Sequence, residues 1–176
     1  DKYGDLTADQ VFLSMSEHPQ LWINVPIIYL PRGNDSIRKV LGVATDVKAI
    51  SLLDIVDKKG NNKLDPYLTE ATRKNNPNKF EKDFIKVYEH VYLLNQALTG
   101  SILKIFPIPG DLNNTWESTL DIRTRMQTKD DTIKGQLLPV YLQTLHDARN
   151  DGDYTNADNL LEAIITYQKR NGSEVY

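Results

Sequence analysis

The sequence predicts an α+β fold, predominantly helical, with a long central helix, two or three short strands and a C-terminal antiparallel helical hairpin. Three observations carry this. First, Phe80, Phe84, Val87, Val91, Leu94 and Leu98 step by four, three, four, three and four residues. On a helical wheel they form a stripe roughly 80° wide, the core face of an amphipathic helix. Second, the apolar runs 26–31 and 101–106 are too short for helices, and prolines bound them. Third, Leu138, Leu142 and Leu145 form one helical stripe, and Ala157, Leu160, Leu161, Ile164 and Ile165 form a second. The tight connector Asn150-Asp151-Gly152-Asp153 joins them.

The chain has 176 residues, which fits one soluble domain spanning 1–176. A hydrophobic content of 40% allows a real core. The formal net charge of -3 and pI near 5.6 leave no basic excess to neutralise phosphates, which argues against a nucleic-acid partner. Cysteine is absent. That excludes disulfides, zinc-thiolate sites and thiol redox chemistry within this sequence. No run approaches the ~20 apolar residues of a membrane span. The sequence opens at Asp1 without a methionine or a signal peptide, so it is expected to be a piece of something longer.

Taken in order, Thr7-Ala8-Asp9-Gln10 is a capping box and starts a helix over Ala8–Glu17. Pro19 suits the first turn of a second helix, with Leu21 and Trp22 as its apolar face. The run 26–31 reads as a strand that its flanking prolines shorten. Asn34 or Asp35 can cap a helix carrying Ile37, Val40 and Leu41. A strand about 49–51 and a helical turn over 52–56 follow. Residues 57–62 read as a turn, and 67–74 as a helix.

The central helix comes next. Lys82, Lys86, Glu89 and Gln96 lie opposite its apolar stripe, and Gly100 stops it. About twenty residues give a rod of roughly 30 Å. After it, 101–106 reads as a strand or a buried extended segment. Residues 116–126 read as a helix started near Thr115. Asp130 and Asp131 complement the dipole of the following helix. Gly135 and Pro139 inside that helix predict a kink or a late start.

Chemical signatures are few. Asp57-Lys58-Lys59-Gly60 places Ile55, Asp57 and Lys59 where a calcium loop needs oxygen ligands, and Pro66 where it needs glutamate. The loop is a surface turn. Asp147, Asp151, Asp153 and Asp158 read as a solvated hairpin tip, with Asp153 capping the last helix. His18, His90 and His146 are scattered, and none has a partner at metal spacing. His90 falls at the border of the central stripe. No phosphate loop, nucleophile elbow or H-E-x-x-H occurs. The residues do not ask for an enzyme. Asp151-Gly152-Asp153-Tyr154 with Ala157 and Leu161 looks like part of a tetratricopeptide repeat, but nothing matches one period upstream, so a single hairpin is expected.

Several stretches together resemble one family. They are 3–13 (Tyr-Gly-Asp-Leu-Thr-Ala-Asp-Gln-Val-Phe-Leu), Ile27-Ile28-Tyr29, Phe84-Ile85-Lys86-Val87, Ile105-Phe106-Pro107-Ile108-Pro109 and the hairpin within 141–168. The chain resembles the large extracytoplasmic loop of System II cytochrome c biogenesis proteins, of the fused CcsB–CcsA (ResB–ResC) type found in Bacteroidetes and relatives. The resemblance implies a periplasmic domain cut from a multi-span inner-membrane protein whose machine attaches haem to apocytochrome c. It also implies a scaffold or docking module for apocytochrome c or other parts of that machine. In that family haem is handled by a tryptophan-rich segment and by histidines in or near the spans. Trp22 and Trp116 lie in no such segment, and no histidine here matches a haem motif, so no haem-binding residue is carried over. The expectation is no cofactor in this domain itself.

Two other classes stay open, a small helical protein-binding adaptor and an extracytoplasmic ligand-binding protein. In the second, a pocket lies between the central helix and the strands, near Phe106 and Trp116, with His90 as a further candidate. Those two aromatics read more readily as core.

Overall fold

Helix caps written into the sequence set where several helices begin. The computed structural model describes residues 4–125 and 128–172. Among these the fold is α+β and predominantly helical, with nine helices and two antiparallel two-stranded sheets. The chain packs as two units. One is His18–Leu98, and the other draws on Asp1–Glu17 and Thr99–Tyr176.

The unit His18–Leu98 contains α2 (Pro19–Trp22), β1 (Ile28–Tyr29), α3 (Asp35–Leu41), β2 (Ala49–Ile50), α4 (Leu52–Ile55), α5 (Asp65–Thr72) and most of α6 (Lys79–Thr99). The proline-bounded run keeps only two strand residues, and Ile28 pairs with Ile50 and Tyr29 with Ala49. Ser51 and Asp54 cap α4, the Asp54 carboxylate accepting the Ser51 N–H and hydroxyl at 2.8 Å each. The predicted 57–62 turn closes on Asp57, whose carboxylate accepts the Lys59 and Asn61 N–H groups at 2.7 and 2.9 Å. Buried Arg38 donates to the carbonyls of Val47, Pro31 and Asn34 at 2.9, 3.0 and 3.2 Å, fastening the segments that flank α3.

Helix α6 is the predicted central helix. Asn78 caps it reciprocally with Glu81, by N–H···O bonds of 2.7 and 3.0 Å, and Glu81 also receives the Lys74 ammonium. Gly100 follows the helix with a left-handed φ of 70°, a conformation other residues adopt at a cost. Phe84, Val87, Leu94, Ala97 and Leu98 are buried, more apolar side chains than any other described element buries. The stripe needs one correction. Val91 sits at its centre by helical spacing but is only half-buried, and so is Phe80. No residue between Val87 and Leu94 is fully buried, and Tyr92 and Leu93 in that stretch are exposed. Coverage is concentrated toward the two ends of the helix, which periodicity cannot reveal. Phe80 stacks on Phe84, which also meets Tyr67 of α5, with ring centroids 4.7 and 5.2 Å apart.

The other unit contains α1 (Ala8–Glu17), β3 (Lys104–Pro107), β4 (Trp116–Ser118), α7 (Thr119–Arg125), α8 (Lys129–Asp151) and α9 (Thr155–Asn171). Helix α1 starts on the predicted box, where Gln10 and Thr7 exchange bonds of 2.8 and 3.3 Å. Phe106, Ile122, Leu142, Ala148, Ala157 and Ile164 are buried. Strands β3 and β4 pair antiparallel with an irregular register between Lys104 and Phe106.

Three expectations are corrected here. Trp116 lies in β4 and does not start a helix; Ser118 does, exchanging hydrogen bonds with Asp121 at 2.8–3.2 Å. The Thr115 N–H is taken instead by Asp111, at 2.8 Å, to close the β3–β4 loop. Met126, placed at the end of that helix, lies outside the described residues. Pro107 ends β3 from within; the strand does not stop at Phe106. Helix α8 has no late start. The Thr128–Asp131 capping box opens it, and it is assigned as helix through Gly135 and Pro139 to Asp151. Pro139 supplies no N–H to the Gly135 carbonyl.

Candidate functional site

A cleft of the second unit lies along α9. Two side-chain-to-backbone bonds anchor that helix. The Tyr167 hydroxyl donates to the Pro107 carbonyl at 3.1 Å, and the Gln168 amide donates to the Ile105 carbonyl at 2.9 Å. The irregularity beside Ile105 frees its carbonyl from the ladder and makes the second bond available. The Tyr167 ring meets Phe106 edge-on, with centroids 6.2 Å apart. Helix α9 is thereby fixed against β3.

Beneath this face lies a charged cluster. Lys134, near the start of α8, is buried. Its ammonium lies 2.8 Å from Asp130, 3.9 Å from Asp131 and 3.5 Å from the Tyr167 hydroxyl, and 5.5 Å from the Tyr167 ring centre. This contact joins the start of α8 to the end of α9, which makes the hairpin antiparallel as predicted. Burial opposes the charge of Lys134, yet the bonds to Asp130 and Tyr167 hold its pKa above the ordinary value. Arg125 links Glu117 at 2.6 Å to Asp131 at 2.9 Å, tying β4 and α7 to α8.

Above the cluster the cleft has a volume of about 690 Å³. Its long wall is one face of α9, made by Asn159, Glu162, Ala163, Thr166, Tyr167 and Arg170. Asn171 at the end of α9, Pro109 from the β3–β4 loop and Asp130 complete it. Among the described residues the side chains of Asn159, Glu162, Thr166 and Arg170 are exposed and make no hydrogen bond or ion pair within the protein. The cleft therefore offers an amide, a carboxylate, a hydroxyl and a guanidinium along one helix face, with a small Ala163 between them.

Other carboxylates with perturbed acidity have structural causes. The backbone N–H of Ser118 holds Asp121 below the usual range, the Thr115 hydroxyl and N–H do so for Asp111, and the Thr155 hydroxyl and N–H for Asp153. The expected cap is off by one residue: Tyr154 is the N-cap of α9 and its side chain makes no capping bond, while Asp153 just before it accepts from the Thr155 N–H at 2.9 Å. Of the other tip acids, Asp147 accepts from Gln143 at 2.9 Å. No three His, Cys, Asp or Glu side chains among the described residues gather as a metal site would require.

The candidates read from sequence fall in three places. Phe106 is 1% exposed, packed in the core under the cleft. Trp116 is half-buried, its indole N–H donates to Asn114 at 3.2 Å, and its ring lies over Gly172. A Cβ at Gly172 would stand 2.9 Å from that ring, so only glycine fits. His90 is half-buried on α6, in the other unit. The structure brings Phe106 and Trp116 onto one hairpin, and neither lines the cleft. The residues that do line it escaped sequence reasoning. Their one signal was the spacing of Asn159, Glu162, Ala163, Thr166 and Arg170, which traces the polar face of α9.

No protein-family model matches the chain. It is 24% identical to Protein NrfI of Wolinella succinogenes over 172 residues, which is 97% of this chain and 18% of that protein. The chain thus spans less than a fifth of that relative's length. No helix among the described residues is long and apolar enough to cross a membrane.

Proposed function

We propose that this chain is an extracytoplasmic part of a cytochrome c biogenesis membrane protein of the System II kind, with CcsB and CcsA fused, and that it serves as a scaffold or docking module for apocytochrome c or other parts of that machine. The similarity to Protein NrfI supports a relation to cytochrome c biogenesis, and its extent over 97% of the chain is the observation that carries the reading. The geometry agrees with a docking role. The perturbed carboxylates named above are accounted for by caps and turns, which marks them as structural. What the α9 face offers outward is a preformed polar cleft. In this reading the chain performs no chemistry, and haem is handled elsewhere in the parent protein.

The test is cytochrome production in cells. A strain lacking the parent gene should lose haem staining of its c-type cytochromes and regain it with the intact gene. Unchanged staining in the deletion strain would overturn the assignment.

A further inference from the structure

We propose that Asn113, at the tip of the β3–β4 hairpin, is an N-glycosylation site that takes an oligosaccharide from a lipid-linked donor on the extracytoplasmic face of the membrane. The inference rests on the extracytoplasmic reading above and goes beyond it by adding a covalent modification. The acceptor pattern is Asn-x-Ser/Thr, with any residue but proline in the middle. It occurs three times in the sequence, at Asn34-Asp35-Ser36, Asn113-Asn114-Thr115 and Asn171-Gly172-Ser173. In the transfer, Nδ2 of the asparagine bonds to the anomeric carbon of the sugar. The donor's lipid pyrophosphate leaves, and one amide proton passes to a base of the transferase. An acceptor must therefore present a free side-chain amide to a large enzyme, with the hydroxyl two residues on in reach.

The structure separates the three patterns. Asn34 is 7% exposed, and its Nδ2 donates to Asp83 at 3.0 Å. Asn171, half-buried at the end of α9, donates from Nδ2 to the Tyr167 carbonyl at 2.9 Å. Both amides are committed to the fold. Asn113 is exposed, and its side chain makes no hydrogen bond among the described residues. Asp111 explains why. Its carboxylate accepts the N–H groups of Asn113 and Thr115 at 3.3 and 2.8 Å, and its carbonyl accepts the Asn114 N–H at 3.1 Å. These bonds close the turn without using the Asn113 amide. Thr115 is exposed too. Its hydroxyl bonds the Asp111 carboxylate, at a tip where water or an enzyme can replace that bond. Leu112, beside Asn113, is 99% exposed, so the tip stands clear of the elements around it. Loop tips of this kind tolerate bulky additions. A glycan on Asn113 would also screen Leu112, the most exposed large apolar side chain among the described residues.

The experiment uses the full-length protein purified from membranes of its own host. Trypsin releases Ile105–Arg123, which carries Asn113 and neither of the other two acceptor patterns. Mass spectrometry should find an oligosaccharide on Asn113 of that peptide and none on Asn34 or Asn171. Asn113→Gln and Thr115→Ala should each abolish it at unchanged protein level, and Thr115→Ser should keep it. A glycan that survives either of the first two changes, or one on Asn34 or Asn171 instead, would overturn the inference. A second arm tests the compartment. The sequence has no cysteine, so Leu112→Cys adds a labelling point at the tip, with wild type as the blank. An unmodified peptide, with Leu112→Cys labelled by a membrane-impermeant maleimide in spheroplasts, would overturn the inference and leave the extracytoplasmic reading standing. An unmodified peptide, with Leu112→Cys labelled only after the membrane is broken, would overturn both.

Discussion

Tyr167 donates its hydroxyl hydrogen to the carbonyl of Pro107 at 3.1 Å, across 60 residues of sequence. The same oxygen lies 3.5 Å from the Lys134 ammonium, and the ring lies edge-on to Phe106. One side chain thus joins α9, β3 and α8. Tyr167→Phe keeps the ring and removes the hydroxyl. It should cost about 1–2 kcal/mol, because the Pro107 carbonyl loses its donor and Lys134 a partner. Urea unfolding followed by near-ultraviolet circular dichroism measures this. A midpoint equal to wild type would mean that water replaces the bond without loss.

Arg125 spans two acids with two different nitrogens, Nη1 to Glu117 at 2.6 Å and Nη2 to Asp131 at 2.9 Å. A lysine ammonium is a single point and cannot reproduce that fork. Asp131 is buried, so losing its partner matters, but Arg125 is 36% exposed and the effect is screened. Both Arg125→Lys and Arg125→Ala should lose about 1–2 kcal/mol. Recovery of wild-type stability by lysine alone would show that charge suffices and the fork does not matter.

The carboxylates that accept from turns and helix starts predict how stability depends on pH. Asp121, Asp111 and Asp153 are all held below the ordinary aspartate value of 3.8 by N–H and hydroxyl donors. A carboxyl depressed in the folded state adds stability that is complete above its unfolded pKa and is lost as pH falls through the folded one. The melting temperature should therefore hold down to about pH 5 and fall from about pH 4 downward. Asp121→Asn keeps the shape and removes the charge. It should melt lower than wild type at pH 7 and converge with it at pH 2–3, whereas a constant gap at all pH would locate its effect elsewhere.

Much of the fold was legible because caps and periodicity are local. The Thr7–Gln10 pair marks a helix start by sequence alone, whereas the Ser51–Asp54 and Asn78–Glu81 pairs became visible only in the structure. Trp116 was misplaced because Thr115 and Ser118 both offer a hydroxyl before an acidic helix; which one caps depends on Asp111 taking the Thr115 N–H, a turn contact that periodicity does not encode. The division into two units was not legible either, since its boundaries at Glu17 and Leu98 fall at a helix end and within the last turn of α6, with no shift in composition. The cleft was hidden for a different reason. It joins Pro109, Asp130 and the polar face of α9, three segments whose meeting depends on tertiary packing.

Helix α6 gives a paired test of burial against pattern. Val87 is 0% exposed, and Val91, one turn on and central to the same stripe, is half-buried. Val87→Asp puts an unpaired carboxylate in the core and should cost more than about 4 kcal/mol. At Val91 the carboxylate can reach water, and the cost should be about 1–2 kcal/mol. Equal melting temperatures for the two variants would mean that the stripe, and not the observed coverage, governs stability.

Haem supplies the last test. Stable axial ligation in a chain without cysteine needs histidine, methionine or tyrosine held in an apolar pocket. His18 is exposed at the start of α2, and His146 is exposed on α8. His90 is half-buried on α6. Met15 is buried on α1 at 6% exposure, so its sulfur would have to be uncovered first. We therefore expect haemin to adsorb weakly on apolar surface without one-to-one saturation. Leu112, 99% exposed at the β3–β4 loop, and Leu21, 63% exposed, are among the side chains that would attract it. The measurement is a haemin titration of wild type and of His18→Ala, His90→Ala and His146→Ala, read by absorbance. A shallow, unsaturating change shared by all four proteins is the expected result. A saturable one-to-one Soret shift that disappears in any one variant would make that histidine a ligand and this domain a haem carrier.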